Sequence, residues 1–215
     1  MKGVSGHTMK VIGITGPSGA GKSLLCRFLK NNNIPCIDAD GVYHSLLVPP
    51  SECLDAIERV FGNGVMASDG SLDRAALAAV VFGDKEKLEL LNSTVLGYVL
   101  VRIRAIIEDY RTQGYSVVAV DAPTLIESGF NKECTRVLSV LASPEVRIKR
   151  IIERDGLSES AASARINAQK KDTFYVEHSD RVIYNDGGES EFMSAAQKAL
   201  SDLLSDSNKE VECDA

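Results

Sequence analysis

Eight consecutive residues, Gly16-Pro17-Ser18-Gly19-Ala20-Gly21-Lys22-Ser23, fit the spacing G-x-x-x-x-G-K-[ST] at every fixed position. These are the residue types that a polyphosphate cradle needs. Glycines let backbone N–H groups turn inward with no Cβ in the way, Lys22 adds a mobile positive charge, and the Ser23 hydroxyl suits a Mg²⁺ ion shared with the phosphates. A helix starting at Lys22 leaves its first amides, through Leu24, unpaired and facing the anion. Gly16, Ser18, Gly19, Ala20, Gly21, Lys22, Ser23 and Leu24 are therefore the candidate phosphate contacts. Carboxylates follow at the ends of short apolar runs. Ile34-Pro35-Cys36-Ile37 leads into Asp38-Ala39-Asp40, and Val117-Val118-Ala119-Val120 into Asp121. Asp40 is the candidate general base for a substrate hydroxyl, while Asp38 and Asp121 are candidates for the Mg²⁺ shell, both through water. Asp40 has a second use, as cap of a helix expected to begin at Gly41, and His44 one turn later is its local ion partner. Arg147, Arg150 and Arg154 stand at i, i+3 and i+7, a stripe suited to folding over a triphosphate and offsetting charge on a transferred group. Glu127 is a candidate substrate or water ligand. Together these groups suit phosphoryl transfer.

Strands and helices have to bring these groups to one rim. Val11-Ile12-Gly13-Ile14-Thr15 reads as a buried strand before the loop, and Leu24 to Lys30 has helical apolar spacing after it. In open α/β sheets ligands gather beyond the carboxyl ends of the strands, where Asp38, Asp40 and Asp121 would also lie. Pro49-Pro50 ends the helix after Asp40, and Ser51 caps another from Glu52 to Phe61. Asp73 reads as a further cap, and helical spacing continues with short breaks from Leu77 to Tyr110. Residues 46–113 are thus expected to form an all-helical insertion that covers the acceptor substrate. Strands return at Val117 to Asp121, Arg136 to Leu141 and Arg181 to Tyr184. Two basic helices, from Pro144 to Arg154 and from Ser158 to about Ala168, form an expected lid over residues 143–172. Met193, Ala196, Leu200, Leu203 and Leu204 mark a closing helix. The core is expected from 9–45, 114–142 and 173–205, with 1–8 and 206–215 as loose ends and fraying from Ser205.

Charge narrows the ligand class. The net charge of −6 resides in the segment from Asp186 to Ala215, whereas Arg147 to Lys171 carries seven basic residues against three acidic ones. A local basic segment in a neutral body suits a small anion and not a nucleic-acid track. Five widely spaced cysteines without C-x-x-C read as reduced thiols of a cytoplasmic protein, with neither a disulfide framework nor a zinc site. No signal peptide or membrane-length apolar run is read from the sequence. Asn131-Lys132-Glu133-Cys134 lacks the acid of a guanine-reading N-K-x-D, which disfavours a nucleotide-dependent regulatory module.

Beyond the loop, the ordered set Asp38-Ala39-Asp40, Phe61-Gly62, Leu72-Asp73-Arg74, Leu91-Asn92, Asp121 through Glu127, Arg150 with Arg154-Asp155, Gln169 and Asp180 through Gly187 resembles the dephospho-CoA kinase family from Val11 to Gly187. The resemblance implies an α/β phosphate-loop NTPase fold, with a five-stranded parallel sheet flanked by helices, a helical substrate-binding insertion and a helical lid. It implies ATP as co-substrate with Mg²⁺, dephospho-CoA as acceptor, and transfer of the γ-phosphoryl group to the ribose 3′-hydroxyl. Neither nucleic acid nor membrane is an expected partner, and a monomer or weak homo-oligomer is expected. Residue by residue, Lys22, Arg150, Arg154 and Asp40 match the catalytic positions, Arg74 matches an acceptor contact, and Asn185 and Gly187 match a loop near adenine. The chain departs from the family in two places. Leu96-Gly97 stands where His-Pro is usual, which removes any acceptor contact of that histidine, and the loop interior Pro17-Ser18-Gly19-Ala20 looks more like that of nucleoside kinases.

Overall fold

The computed structural model describes residues 9–205. Among them five strands form one sheet: β1 (Lys10–Thr15), β2 (Cys36–Asp38), β3 (Val117–Asp121), β4 (Arg136–Leu141) and β5 (Arg181–Tyr184), in the order β2-β3-β1-β4-β5. β1 runs parallel to both β3 and β4, and β4 runs parallel to β5. Strands flanked by helices on both faces need apolar side chains on both, so β1, β3 and β4 are mostly apolar, with the buried Ser139 as the one polar residue inside β4. The chain divides after Cys36 and after Gly114 into two compact units.

The unit containing most of the sheet has helices α1 (Lys22–Asn31) and α9 (Glu189–Ser205) against one common core. Leu25 and Leu29 of α1 and Phe192, Ala196 and Leu200 of α9 are buried with Ile12, Ile14, Leu138 and Val140. Each such aliphatic side chain contributes about 1.5–3 kcal/mol by leaving water. Register matters for the chemistry: Ile14 lies beside Asp121, so the acidic end of β3 is level with the strand end that feeds the glycine loop. Ser205, where fraying was expected to begin, is the last residue of α9, and the loose ends expected at 1–8 and 206–215 fall outside the described residues.

The second unit is helical: α2 (Ala39–Ser45), α3 (Glu52–Phe61), α4 (Arg74–Val81) and α5 (Lys85–Thr112). Its core joins Leu54, Ile57, Val65, Leu77 and Val95. Caps sit where side-chain oxygens can reach orphan amides: Ser51 accepts from Cys53 and Leu54, Asp73 from Ala75 and Ala76, and Asp84 from Lys87. Three expectations are corrected. α2, expected with the sheet core, belongs to the helical unit because it packs on α5. Asp38, not Asp40, caps α2: its Oδ1 accepts the Asp40 N–H at 3.0 Å, because the helix begins directly after β2 at Ala39, two residues before the expected start at Gly41. A third correction concerns α5, which is long and apolar enough to cross a membrane by length and composition, although no such run had been read. Its Val95, Ile103 and Ile107 are buried.

Candidate active site

Backbone conformation sets up the loop. Gly16 and Gly21 have φ of 136° and 109°, a region that L side chains rarely adopt. A Cβ on Gly16 would overlap the Val140 carbonyl oxygen, and one on Gly21 would overlap Asn185 Nδ2. The loop is thus pressed between the ends of β4 and β5. α1 begins at Lys22 with Gly21 as a cap that offers no side chain, but the Leu24 N–H, expected to be unpaired, donates to Gly21 O at 3.0 Å, so the amides without a partner end before Leu24. Lys22 Nζ donates to the Gly16 carbonyl at 2.7 Å and to Pro17 O at 3.4 Å, which arches the side chain back over the loop. Ser23 is exposed at the first turn.

The basic helices meet this loop from outside. α6 (Pro144–Asp155) starts at Ser143, whose N–H donates to Asp186 Oδ1 at 2.6 Å. α7 (Glu159–Asn167) packs against it. The three arginines share a helix face but not a role. Arg147 is buried, 3% exposed, and its Nε donates to Ser18 O at 2.9 Å. Arg150 is half-buried and donates to Gly19 O at 3.3 Å, Ala20 O at 3.4 Å and Asn185 Oδ1 at 3.4 Å. Arg154 is exposed, grips Asp155 at 2.7 and 2.9 Å, and reaches Ser18 Oγ at 3.5 Å. The Arg154 hydrogen bond, joined by one from Arg165, holds the Asp155 carboxyl down at about 2. The sequence stripe expected all three guanidiniums to face the phosphates. Arg147 instead is committed to the Ser18 carbonyl and to Gln169.

Asn185 is 3% exposed, and its Nδ2 donates to Ala20 O at 2.8 Å, so its side chain braces the loop. Gln169 was noticed only as part of a family pattern, yet its Oε1 accepts both the Ser18 N–H at 3.2 Å and Arg147 Nη2 at 2.6 Å. A long-range glutamine contact has no periodic signal that would reveal it. α8 (Asp172–Glu177) is a short helix that the sequence reading passed over. It carries the buried Tyr175, whose hydroxyl is raised by burial and then by the nearby Glu127 carboxylate. Glu127 itself is exposed, as are Asp38, Asp40 and Arg74.

Asp38, Asp40 and Arg74 lie on the helical unit, the first two flanking the start of α2 and Arg74 opening α4. The loop, Asp121, Arg150, Arg154, Asn185, Gly187 and Glu127 lie on the other unit. Asp121 Oδ2 accepts the Cys26 thiol at 3.4 Å, and the thiol is raised first by its hydrogen bond to Cys36, then by burial and by Asp121. Among the described residues no cluster of three His, Cys, Asp or Glu could cage a metal by itself. The donors present are hard oxygens, Ser23 and Asp121, which fits an ion such as Mg²⁺ that takes most of its shell from phosphates and water.

A family profile described as dephospho-CoA kinase matches residues 10–191. The chain belongs to the dephospho-CoA kinase family. A dephospho-CoA kinase of Dehalococcoides mccartyi is 39% identical over 177 residues, covering 82% of this chain and 89% of that one. A crystal structure from Thermus thermophilus superposes with a TM-score of 0.77 at 31% identity, covering 91% and 98% of the two chains. Dephospho-CoA kinase from Campylobacter jejuni shares the fold at a TM-score of 0.67 and 23% identity, over 90% and 96%. Membership in the dephospho-CoA kinase family agrees with the phosphate-loop sheet order, and it gives the departure at Leu96-Gly97 a setting. That pair sits inside the unbroken α5, where a proline would remove an internal hydrogen bond.

Proposed function

We propose that this chain is an ATP-dependent phosphotransferase that phosphorylates the ribose 3′-hydroxyl of dephospho-CoA, yielding coenzyme A and ADP. The observation that carries the reading is the glycine loop, clamped by Asn185 and by the basic α6, in a chain matched to this family over most of its length. Lys22 and the first-turn amides of α1 hold the outer phosphates, and Ser18 to Leu24 line them. Arg150 and Arg154 turn from loop carbonyls and Asp155 toward the transferring group. Asp40 takes the hydroxyl proton as the P–O bond to the acceptor forms and the bond to the ADP oxygen breaks. Ser23, with Asp121 and Asp38 through water, would hold a Mg²⁺ ion whose charge offsets that on the outer phosphates. Arg74 and Glu127 contact the acceptor, while Asn185 and Gly187 stand by the adenine. The lid over 143–172 excludes water, so that the phosphoryl group meets the acceptor alone. A cytoplasmic location and a monomer or weak homo-oligomer belong to this reading as well.

An acceptor panel with coupled ADP detection tests this. Dephospho-CoA is expected to be the one fast acceptor. A faster nucleoside or nucleotide acceptor would replace the reading with that of a kinase on the same scaffold, as the loop interior suggests. Saturable ATP binding without acceptor-dependent ADP release would make the chain a regulatory module.

A further inference from the structure

Arg147 is the most deeply buried charged side chain of the loop and lid region, at 3% exposure. Both of its hydrogen bonds end on neutral oxygens: Nε on Ser18 O at 2.9 Å and Nη2 on Gln169 Oε1 at 2.6 Å. That same Gln169 oxygen takes the Ser18 N–H at 3.2 Å, so the two polar groups of Ser18's own backbone close a ring with the arginine and the glutamine. The fit is tight on the next residue too, because a Cβ on Gly19 would come within 2.9 Å of the Arg147 carbonyl oxygen. No carboxylate among the described residues forms an ion pair with this guanidinium. Burial lowers its pKa from the ordinary arginine value, opposed through space by Asp172 and Tyr175. A cation buried without a direct counter-charge is expensive to keep, and a neutral residue would make the same packing cheaper.

An anion on the inner face of the loop would offset that expense. We propose that Arg147, held behind the phosphate loop by Ser18 and Gln169, is a positioning residue that raises affinity for the phosphates of the nucleotide without touching them. It does so in two ways. The ring fixes the Ser18 peptide so that the neighbouring loop amides stay aimed inward, and the buried charge, offset only through space by Asp172, lies one peptide away from the cradle in a region of low dielectric. The inference rests on the loop being the nucleotide site, and it differs from the roles given to Arg150 and Arg154, which are proposed to meet the transferring group directly.

Two variants separate charge from packing. Gln169→Glu keeps an acceptor for both the Ser18 N–H and Arg147 while supplying a direct counter-charge; Arg147→Met removes the charge and keeps most of the volume. Each is compared with the unaltered chain by calorimetric titration with ATP, ADP and adenosine, and by thermal unfolding without ligand. For Gln169→Glu the expected result is an unfolding temperature no lower than that of the unaltered chain, with ATP and ADP each bound about tenfold more weakly and adenosine within about twofold, the order of effect that one partly buried unit charge produces. Arg147→Met is expected to give the same ranking of ligands. Should Arg147→Met fail to fold, Gln169→Glu decides alone, because it leaves the arginine in place. ATP binding within about twofold of normal in the folded variants would overturn the proposal, as would equal losses for ATP and adenosine, which would make Arg147 a packing residue. An unaltered chain without ATP affinity would overturn the nucleotide reading itself, and this inference with it.

Discussion

Gly21 and Asn185 should behave as one interlocked pair, and a double-mutant cycle measures the interlock. Gly21→Ala forces a side chain into a φ of 109° and drives its Cβ onto Asn185 Nδ2. The backbone part costs about 1–2 kcal/mol, and the overlap adds about 1–3 kcal/mol. Asn185 cannot simply swing aside, because it is 3% exposed and its Nδ2 is committed to Ala20 O at 2.8 Å. Asn185→Ala alone leaves that carbonyl unpaired, at about 1–3 kcal/mol. In the double variant the overlap disappears, since the amide it struck is gone. The combined loss should therefore fall short of the sum by about 1–3 kcal/mol, well outside the scatter of independent sites. Urea unfolding of the four proteins with matched m-values gives the coupling, and ATP titration of the folded ones should follow the same order. Additivity within about 0.5 kcal/mol would refute the claim that this side chain fills the space a Cβ at Gly21 would need.

Asp40→Asn should retain ATP binding and lower turnover by at least about two orders of magnitude in the coupled assay, and near-normal turnover would remove Asp40 from the proton-accepting role. Lys22→Ala should weaken ATP binding by about two orders of magnitude, as expected for a lost charge-assisted contact to phosphate, and titration reads it directly. Asp155 has its carboxyl held at about 2 by Arg154 and Arg165, below the ordinary aspartate value. A depressed carboxyl stabilises the fold above the ordinary value and ceases to do so as pH falls through the lowered one. The stability gap between the unaltered chain and Asp155→Asn should thus be constant from pH 7 to about pH 5 and close between about pH 4 and pH 2; a gap unchanged by acid would contradict the pairing.

β3 was legible because Val117 to Val120 is a contiguous apolar run ended by Asp121, and β4 because its apolar residues outweigh the one buried serine among them. Caps at Ser51 and Asp73 were legible for a similar reason: a lone short polar side chain before a helical stripe has one obvious use. The same logic misplaced the cap of α2 on Asp40, because the short run before it does not show that β2 ends at Asp38 and the helix follows at once. α8 was missed because six residues give less than two turns of periodicity and Lys171 before it offers no acceptor. In the site, the phosphate loop was complete in the sequence, since its residues are adjacent. The division of labour among Arg147, Arg150 and Arg154 was not, because helical spacing says which side chains share a face and nothing about what covers it.

The central position of β1 bears on how the chain is made. Its Lys10 is paired with Val117 of β3, and its Ile12 with Arg136 of β4, so both neighbours are synthesised only after the whole helical unit. Emerging from the ribosome, the first strand must wait with its edges open while the segment from Ile37 to Gly114 collapses locally, and closing so long a loop is the slow step for a sheet of this connectivity. Newly made chains lacking the last hundred residues would therefore hold a folded helical bundle beside an unprotected apolar strand, the species on which chaperones are expected to act.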